Sequence, residues 1–421
     1  MKIAIVGAGV AGVTTAYELA RHGHTVTVFE RRASAAEETS FAPGAVRGLG
    51  PLAPWALPGS MGVPRALGSS ANIQAGRASS LAQLRWLWQW RGAARKALRS
   101  EEPTPAMRAL AQLSQWSQHC YLDTAEALEL DLEHSCGALL LLQDDRTAAP
   151  LRQAVQALRS AGALLHELDA AAARKLEPGL AENAEFALAL HLPAAEAGNC
   201  RQFSVLLRQA AQRLGAEFLF QAEVTAIRST SNGTTLQLRG EAEPRRFEAA
   251  VLCSGADALS LLAPLGVRTG MVALWGYSLT APLREGVPGP QGTVLDAARQ
   301  VSLARLGQRI RVSGGAELGG TGAAQHPKAL HALYEALDTW FPGSAQRGAG
   351  LQMWRGARAI RPSGLPLLGA SGVPGLWLNL AHGDGGWSLA SGCARELAQQ
   401  LVGSESALTP TDLLHFAPSG A

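Results

Sequence analysis

The chain has 421 residues, 47% of them hydrophobic, and its 37 basic and 34 acidic residues leave a formal net charge of +3. That length allows a large core and predicts two domains, while so small and scattered a net charge argues against a nucleic acid as partner. The five cysteines are dispersed and form no CxxC pair, so we expect reduced thiols in a cytoplasmic setting, with no disulfide framework and no metal site.

The first thirty residues predict a strand, a glycine-rich turn, a helix and a second strand. Lys2–Val6 is typical of a buried strand, GAGVAG follows, and the apolar run Thr25–Phe29 ends at an acid. In such a unit the first glycine permits the tight turn, the second lets the backbone approach a pyrophosphate, the third lets helix and strand pack closely, and the acid accepts hydrogen bonds from a ribose. The alternative is a glycine-rich turn in an ordinary α/β domain. We predict dinucleotide binding through Gly7, Gly9, Val10, Ala11, Gly12, Glu30, Arg31 and Arg32.

The same N-terminus is apolar behind one lysine, as a signal peptide would be. It carries a glycine pattern and no clear cleavage site, and a second strand follows at once, so we do not interpret it as a signal peptide. The sequence contains no uninterrupted run of about 18 apolar residues, so we expect no membrane-spanning helix.

Residues 84–99 combine three tryptophans with a run of basic side chains. On a helix Trp86 and Trp90 share one face and Trp88 lies opposite, so the segment is apolar nearly all round. Two interpretations remain open. We favour a buried helix end with a solvated basic tail over a helix at a lipid headgroup boundary with its arginines on phosphates.

The middle of the chain predicts further regular elements. Apolar periodicity predicts helices over 104–130 and 147–161. Apolar runs predict strands over 137–143 and 309–313.

Two later turns decide between FAD and a nicotinamide cofactor. A strand within 248–255 ends in a small-residue turn, and LAHGDGGWSLASG (380–392) places glycines before a helix that opens near residue 387. A nicotinamide cofactor in a simple two-domain dehydrogenase does not usually need three binding turns so far apart, whereas a long FAD buried between two domains does. We therefore predict FAD, contacted in these turns by Ser254, Gly255, Gly383, Asp384, Gly385, Gly386 and Trp387.

Several longer motifs resemble a known family. They are Glu38-Thr-Ser40, Gly198-Asn-Cys-Arg-Gln-Phe203, Trp275-Gly-Tyr-Ser-Leu-Thr280, Trp354-Arg-Gly-Ala-Arg358 and His382-Gly-Asp-Gly-Gly-Trp387. Over nearly its whole length the chain resembles the FAD-containing D-amino acid dehydrogenases, within the group that includes the glycine and sarcosine oxidases.

The resemblance implies an α/β fold with a discontinuous, Rossmann-like FAD-binding domain and a substrate domain built on a mostly antiparallel sheet. The implied FAD-binding segments are 1–80, 180–265 and 345–421, and the implied substrate segments are 81–179 and 266–344. Thr39 and Ser40 are implied FAD contacts, and the 382–387 turn is implied to face the flavin. A strand over Phe218–Val224 is expected to pass the adenine, with Val224 as a backbone contact.

The resemblance also implies a reaction, the oxidation of a D-amino acid or related amine to an imine that hydrolyses to a 2-oxo acid. Electrons would pass to a quinone or another acceptor. A membrane quinone supports the lipid alternative for residues 84–99, peripheral contact with the inner face of the membrane, although the buried helix end stays the favoured interpretation. Arg358 matches the position that binds the substrate carboxylate, and Tyr277 is a second candidate for that carboxylate. His382 either tunes the flavin or is a satisfied buried histidine.

Two alternatives to this function remain at the level of the sequence. An oxidase of the glycine or sarcosine type would return its electrons to O₂, and a non-catalytic FAD-binding subunit or redox sensor would not turn over. Departures from the usual family pattern cluster around the expected flavin and substrate sites, at Pro43, Ala45, Ser363, Asp384 and Gly385. They do not affect the prediction of FAD binding, but they argue against the ordinary D-alanine-type specificity.

Overall fold

The structure is a computed structural model that describes residues 1–59, 73–75, 80–143, 148–319 and 327–418. The described strands are β1 Lys2–Val6, β2 Thr25–Phe29, β3 Val46–Arg47, β4 Gln74–Ala75, β5 His134–Leu142, β6 His166–Leu168, β7 Leu188–Gly198, β8 Glu217–Leu219, β9 Val224–Thr230, β10 Gly233–Leu238, β11 Arg245–Phe247, β12 Ala249–Leu252, β13 Val272–Pro282, β14 Thr293–Asp296, β15 Val301–Leu306, β16 Arg309–Leu318, β17 Gln352–Ile360, β18 Leu367–Ala370 and β19 Leu376–Leu380. The described α-helices are α1 Val10–Arg21, α2 Leu81–Ala97, α3 Pro105–Ala127, α4 Arg152–Ser160, α5 Ala170–Leu176, α6 Cys200–Arg213, α7 Ala258–Leu262, α8 Pro327–Trp340, α9 Gly386–Val402 and α10 Pro410–Phe416.

The N-terminal unit lies at the centre of a six-stranded sheet with the order β18-β19-β12-β1-β2-β8. Its neighbours pair in parallel, except for the antiparallel pair β18 and β19. Both β1 and β2 are buried at four of five positions, because both faces of the sheet are covered. The chain leaves β1 for β2 on one side and reaches β12 on the other, so the carboxyl end of β1 is a topological switch point.

Apolar clusters cover both faces of this sheet. On one face α1, α3 and α9 share the largest cluster of buried side chains. On the other face lie α7 and the three-stranded antiparallel sheet β11-β10-β9.

The second large sheet has the order β17-β13-β16-β15-β14-β5-β7-β3, with β4 beside β16 and β6 beside β7. The pairs β14–β5 and β16–β4 are parallel, and the remaining pairs are antiparallel. The expected mostly antiparallel sheet is therefore confirmed. One face packs on α8 through an apolar cluster that includes Leu279, Val312 and Leu333.

Most predicted elements are confirmed, with shifted ends. The predicted helix 104–130 is α3, the predicted strands 137–143 and 309–313 fall within β5 and β16 apart from residue 143, and the helix predicted to open near residue 387 is α9. The predicted helix 147–161 begins as a 3₁₀ turn, Ala149–Leu151, and continues as α4. Residue 147 lies outside the described residues.

The predicted strand over Phe218–Val224 is wrong. The chain ends β8 at Leu219, turns through Gln221 with a φ of 56°, and begins β9 in a different sheet. Phe218 and Val224 consequently belong to the apolar clusters on opposite faces of the first sheet. A run of apolar residues does not reveal that the chain changes sheets within it.

The division into FAD-binding and substrate segments stays a prediction, and four strands bear on its boundaries. Strands β3 and β4 lie inside the predicted FAD-binding segment 1–80, β7 inside 180–265 and β17 inside 345–421, yet all four pair within the second large sheet. Residues 60–72 and 76–79 of the predicted first segment lie outside the described residues.

The tryptophan-rich segment forms most of α2, which begins with a capping box between Ser80 and Gln83. Trp86 and Trp90 are 1% and 2% exposed and stack at 5.1 Å, whereas Trp88 is 76% exposed. The predicted division of the tryptophans between two faces is therefore confirmed. Among the described helices, none combines the length and apolarity needed to cross a bilayer.

Candidate active site

Two adjoining cavities lie where the carboxyl end of β1 faces the second large sheet. The large cavity, ≈ 230 Å³, runs past the β1–α1 turn, the end of β2 and the turns that follow β12 and β19. The middle cavity, ≈ 70 Å³, shares several residues with it and continues along β13 and β17. The predicted site residues that line the large cavity are Gly7, Gly9, Val10, Ala11, Glu30, Arg31, Thr39, Ser40, Val224, Ser254, Gly255, Arg358, His382, Gly383 and Gly386.

The β1–α1 turn has a bare backbone for steric reasons. Gly7 has a φ of 103°, a conformation that residues with a side chain rarely adopt. A Cβ on Gly12 would lie 1.9 Å from the Gly7 carbonyl oxygen, so Gly12 permits close packing although it does not line the cavity. Helix α1 begins after its N-cap residue, Gly9, which has no side chain to cap the helix. The Val10 N–H group donates a hydrogen bond to Ser40 Oγ at 3.0 Å. The positive end of the helix thus faces the cavity, as a phosphate requires.

Glu30 follows β2 and lines the large cavity. Its carboxylate oxygens accept hydrogen bonds from Ala8 N–H at 2.7 Å and Arg32 N–H at 2.8 Å. Burial raises the pKa of the Glu30 carboxyl above its ordinary value, and the two backbone donors oppose that shift. Each carboxylate oxygen retains a lone pair for a ribose hydroxyl.

The two arginines after Glu30 are placed differently. Arg31 lines the large cavity and pairs with Glu38 at 2.6 Å and with Asp257 at 2.7 Å. Arg32 is exposed and pairs with Glu38 at 2.6 Å, and it is not among the residues that line the cavity. The structure therefore does not bring the Arg32 side chain to the predicted cofactor position.

We expect Glu30→Ala to weaken FAD binding about tenfold or more, because it removes a charge-assisted ribose contact worth ~1.5–3 kcal/mol. Glu30→Gln keeps an acceptor for the turn and should lose less. Fluorescence titration of the apoprotein with FAD measures each Kd. An alanine variant with the parent Kd would mean that this carboxylate makes no cofactor contact.

The residues of the large cavity fit an extended dinucleotide. They come from three turns that lie far apart in the chain, and their small side chains leave room for the cofactor. At Gly255, where φ is 58°, an added Cβ would meet nothing within 4 Å. The neighbouring Ser254 Oγ is buried and has no hydrogen-bond partner among the described groups, which is the condition of a hydroxyl that a ligand satisfies.

The turn after β19 separates the two cavities. Gly383 has a φ of 57° and lines both. His382 Nε2 hydrogen-bonds to Asn379 Oδ1 at 2.7 Å, and burial lowers the pKa of His382 to about 4. This histidine is therefore neutral near neutral pH and already bonded.

Three other members of this turn do not line the large cavity. Asp384 and Trp387 line the middle cavity, and Gly385 lines neither. The predicted contacts of these three residues with FAD stay predictions.

Alternate residues of β17 form a polar strip along the middle cavity. Trp354, Gly356 and Arg358 share a face of the strand, and all three line this cavity. The Trp354 Nε1 atom is buried without a hydrogen-bond partner among the described groups and lies 3.5 Å from the position of a Cβ on Gly356. An indole N–H, a bare backbone and a guanidinium form a donor set suited to a carboxylate.

Gly276 on the neighbouring strand β13 makes room for this strip. A Cβ on Gly276 would lie 2.4 Å from Arg358 Cζ. The guanidinium of Arg358 can therefore lie across the backbone of β13 only because residue 276 is a glycine.

Among the described residues, Arg358 has two partners. Its Nη1 donates to the Gly315 carbonyl oxygen at 2.8 Å, and its Nε lies 2.8 Å from Asp384 Oδ1, with side chains 11% and 17% exposed. Burial raises the pKa of the Asp384 carboxyl above its ordinary value, and the charge of Arg358 opposes that shift. The predicted carboxylate anchor is thus paired with the acid that departs from the family pattern.

Tyr277 lines the middle cavity but has other partners. Its hydroxyl donates to the Glu317 carboxylate, and Arg355 Nε donates to that hydroxyl at 3.3 Å. The phenolic proton points to Glu317, so a bond from Tyr277 to a substrate carboxylate stays a prediction.

Gly276 and Trp354 were not singled out from the sequence, although both belong to motifs that carry the resemblance. A usable signal was present in the alternation of Trp, Gly and Arg at positions 354, 356 and 358, which places them on one face of a strand. Gly276 offered no such signal, because its role depends on which strand pairs with β17.

Comparisons with known proteins agree with this geometry. A family model described as FAD dependent oxidoreductase matches residues 2–400. The D-amino acid dehydrogenase of Cereibacter sphaeroides is 33% identical over 431 residues, covering 98% of this chain and 94% of the relative. The D-amino acid dehydrogenase of Rhizorhabdus wittichii is 31% identical over 418 residues, covering 98% and 99%.

Solved structures share the fold at lower identity. Glycine oxidase from Geobacillus kaustophilus superposes with a TM-score of 0.74 at 22% identity, covering 100% of this chain and 98% of that one. L-proline dehydrogenase from P. horikoshii superposes with a TM-score of 0.74 at 16% identity, covering 99% and 96%.

Proposed function

The chain belongs to the FAD dependent oxidoreductase family, and on that premise we propose that it oxidises a D-amino acid or a closely related amine. The neutral amine gives up a hydride from Cα and a proton from nitrogen, which leaves an imine. Water then hydrolyses the imine to a 2-oxo acid and ammonia. FAD, when bound, supplies the hydride acceptor. The likeness to the curated D-amino acid dehydrogenases over nearly the whole chain supports this substrate class.

The observation that carries the proposal is the polar strip of Trp354, Gly356 and Arg358 beside the Gly383 turn. A substrate carboxylate that leaves water needs charged and hydrogen-bonding partners in the cavity. The strip offers a guanidinium and an indole N–H that has no other described partner. The protein's part is to hold the carboxylate and so to orient the Cα–H bond, which needs neither a metal nor a strong base.

The experiment that tests the function is anaerobic mixing of the purified holoenzyme with D-amino acids, L-amino acids and N-methyl amines. We expect D-amino acids to remove the absorbance of the oxidised flavin. If no compound of the panel reduces the flavin, the proposed oxidation of this substrate class is wrong. A non-catalytic FAD-binding role is then the better interpretation.

The electron acceptor is proposed to be a quinone or another carrier rather than O₂. Turnover of the best substrate in air, with and without a soluble quinone, distinguishes the two. Oxygen consumption as fast as quinone reduction would instead make the chain an oxidase of the glycine or sarcosine type.

The pair between Arg358 and Asp384 leads to a prediction about pH. As pH rises through the raised pKa of Asp384, the acid ionises and neutralises part of the charge that a ligand carboxylate meets. We therefore expect carboxylate ligands to bind more tightly below that pKa and more weakly above it. Among the described residues, the titratable groups that line cavities together with Asp384 are Arg358, Tyr277 and Cys200 in the middle cavity and His382 in a smaller neighbouring one.

Acetate is a suitable probe because it has no amine to titrate. Its Kd, expressed for the ionised acetate and measured from the flavin spectrum as pH rises through the pKa of Asp384, should increase on the order of tenfold in the parent. Asp384→Asn should bind acetate tightly over the whole range. The same pH dependence in Asp384→Asn would assign the titration to another group.

Helix α2 is proposed to contact the inner face of a membrane, where a quinone would be met. Leu81, Leu84 and Trp88 are 86%, 47% and 76% exposed, and the exposed basic residues Arg85 and Arg95 lie on the same helix. Exposed apolar groups beside cations suit an anionic lipid surface.

We expect the enzyme to float with vesicles that contain anionic lipid and Trp88→Ala to float severalfold less. Leu414→Ala is the matched control, because Leu414 is 75% exposed on α10, far along the chain from α2. If the parent and both variants float equally, or if none of them floats, the proposed membrane contact through Trp88 is wrong.

A further inference from the structure

Another cavity borders the Arg358–Asp384 pair. This side cavity, ≈ 30 Å³, is lined by both members of the pair and by residues of the β14–β15 turn, β15 and β16. Its polar lining outside the pair consists of Gln300, Ser302 and Ser313. Because Arg358 and Asp384 line the middle cavity as well, a ligand held by Arg358 has the side cavity next to it.

Gln300 is an unusual residue for a protein interior. It is 8% exposed, and its Oε1 atom is buried without a hydrogen-bond partner among the described groups. Its φ of 55° lies in the left-handed region, which costs free energy in a residue with a side chain. A buried amide oxygen without a donor costs free energy, so a ligand donor at this position would remove that cost.

The two serines extend the polar end of the side cavity. Ser302 Oγ and Ser313 Oγ lie 2.7 Å apart, and both residues are buried. They lie on the same face of the sheet as neighbours across the β15–β16 pair. Their hydroxyl groups can accept a hydrogen bond as well as donate one.

Size and charge limit what the side cavity can hold. A volume of ≈ 30 Å³ leaves room for about two water-sized groups. Among the described residues that line it, the charged side chains are those of Arg358 and Asp384, which pair with each other at 2.8 Å. Apolar residues, Val46, Leu49 and Leu295 among them, form the remaining walls. A charged side chain would lie there without a counterion, and a long one would not fit.

We propose that the side cavity binds the substrate side chain and selects a short, neutral side chain that donates a hydrogen bond, of the size of a hydroxymethyl group. This inference rests on the proposed oxidation of a D-amino acid. The substrate carboxylate binds Arg358, and the side-chain hydroxyl donates to Gln300 Oε1. Gln300 is then a residue that determines specificity, and D-serine represents the preferred class of substrate.

The test compares D-serine with D-2-aminobutyrate, which replaces the hydroxyl by a methyl group of nearly the same size, and with D-alanine. We expect kcat/KM for D-serine to exceed that for D-2-aminobutyrate by about tenfold or more, because one buried hydrogen bond distinguishes them. Gln300→Met keeps the length of the side chain and removes the acceptor, and should abolish or reverse this preference.

Gln308→Met is the matched control, because Gln308 is an exposed glutamine in the turn between β15 and β16, and it should keep the parent ratio. If D-2-aminobutyrate is the better substrate of the parent, or if Gln300→Met keeps the parent ratio, the side cavity does not select a hydroxyl. In both cases oxidation of D-alanine would leave the proposed function intact. If no D-amino acid reduces the flavin, the proposed function fails and this inference fails with it.

Discussion

Replacing Arg358 by Met is expected to lower kcat/KM for amino acids at least about a hundredfold while FAD binding and the visible spectrum change little. The variant keeps the length of the side chain and removes the charge that a substrate carboxylate needs inside the cavity. Removing one partner of a buried ion pair typically costs ~3–5 kcal/mol. The damage should be largest for substrates with a free carboxylate and much smaller for an amine that lacks one.

The structure requires a second variant as a control. Arg358→Met alone leaves Asp384 buried without the cation that now lies 2.8 Å from it, and that unpaired charge could disturb the turn by itself. The double variant Arg358→Met/Asp384→Asn removes both charges. We expect its thermal stability to approach that of the parent while kcat/KM stays low. Full activity in either variant would mean that Arg358 anchors no carboxylate and that the substrate is a plain amine.

Replacing Gly12 by Ala is expected to abolish FAD binding at micromolar concentrations, a loss of at least about a hundredfold. The new Cβ would lie 1.9 Å from the Gly7 carbonyl oxygen and 2.9 Å from its carbon, so helix α1 or the turn must move. Overpacking of this kind costs typically 1–3 kcal/mol and more where backbone is the obstacle. The moved atoms include the helix N-terminus that faces the cofactor phosphates.

Gly92→Ala is the matched control for Gly12→Ala. Gly92 lies within α2, and a Cβ there would meet nothing within 4 Å. Alanine should leave FAD binding unchanged and should stabilise the helix by about 0.5–1 kcal/mol. Retention of FAD by Gly12→Ala with the parent Kd would contradict the packing role of this glycine.

How far the site could be predicted depended on the distance between its parts in the sequence. The β1–α1–β2 unit was predictable because its signals are local. Gly7, Gly9 and Gly12 act within one turn, and Glu30 follows the next strand, so spacing alone expresses the geometry. The turns at 255 and 383 were recognisable as turns for the same reason, but their meeting in one cavity follows from the parallel pairing of β1, β12 and β19.

The partners of Arg358 were beyond the reach of sequence patterns. Asp384 belongs to a turn that was predicted to face the flavin, and the pairing of β13 with β17 brings Gly276 under the guanidinium. Each contact joins elements that are separated by loops, and a shift of one residue in register would turn Arg358 to the other face of its strand. Charge type and motif match pointed to the arginine, but they did not identify what the arginine touches.

The sequence by itself determined the class of fold, the dinucleotide turn and the family, because glycine spacing and apolar periodicity are local properties that survive in any context. Only the tertiary structure decided that Trp354, Gly356 and Arg358 line a second cavity with Asp384, that Gln300 lies beyond them, and that the run at 218–224 divides between two sheets. These features depend on which strands pair and on which face of each strand is covered. Contacts between residues far apart in the chain decide both. Alternation along a strand shows which residues share a face, but it does not show what covers that face.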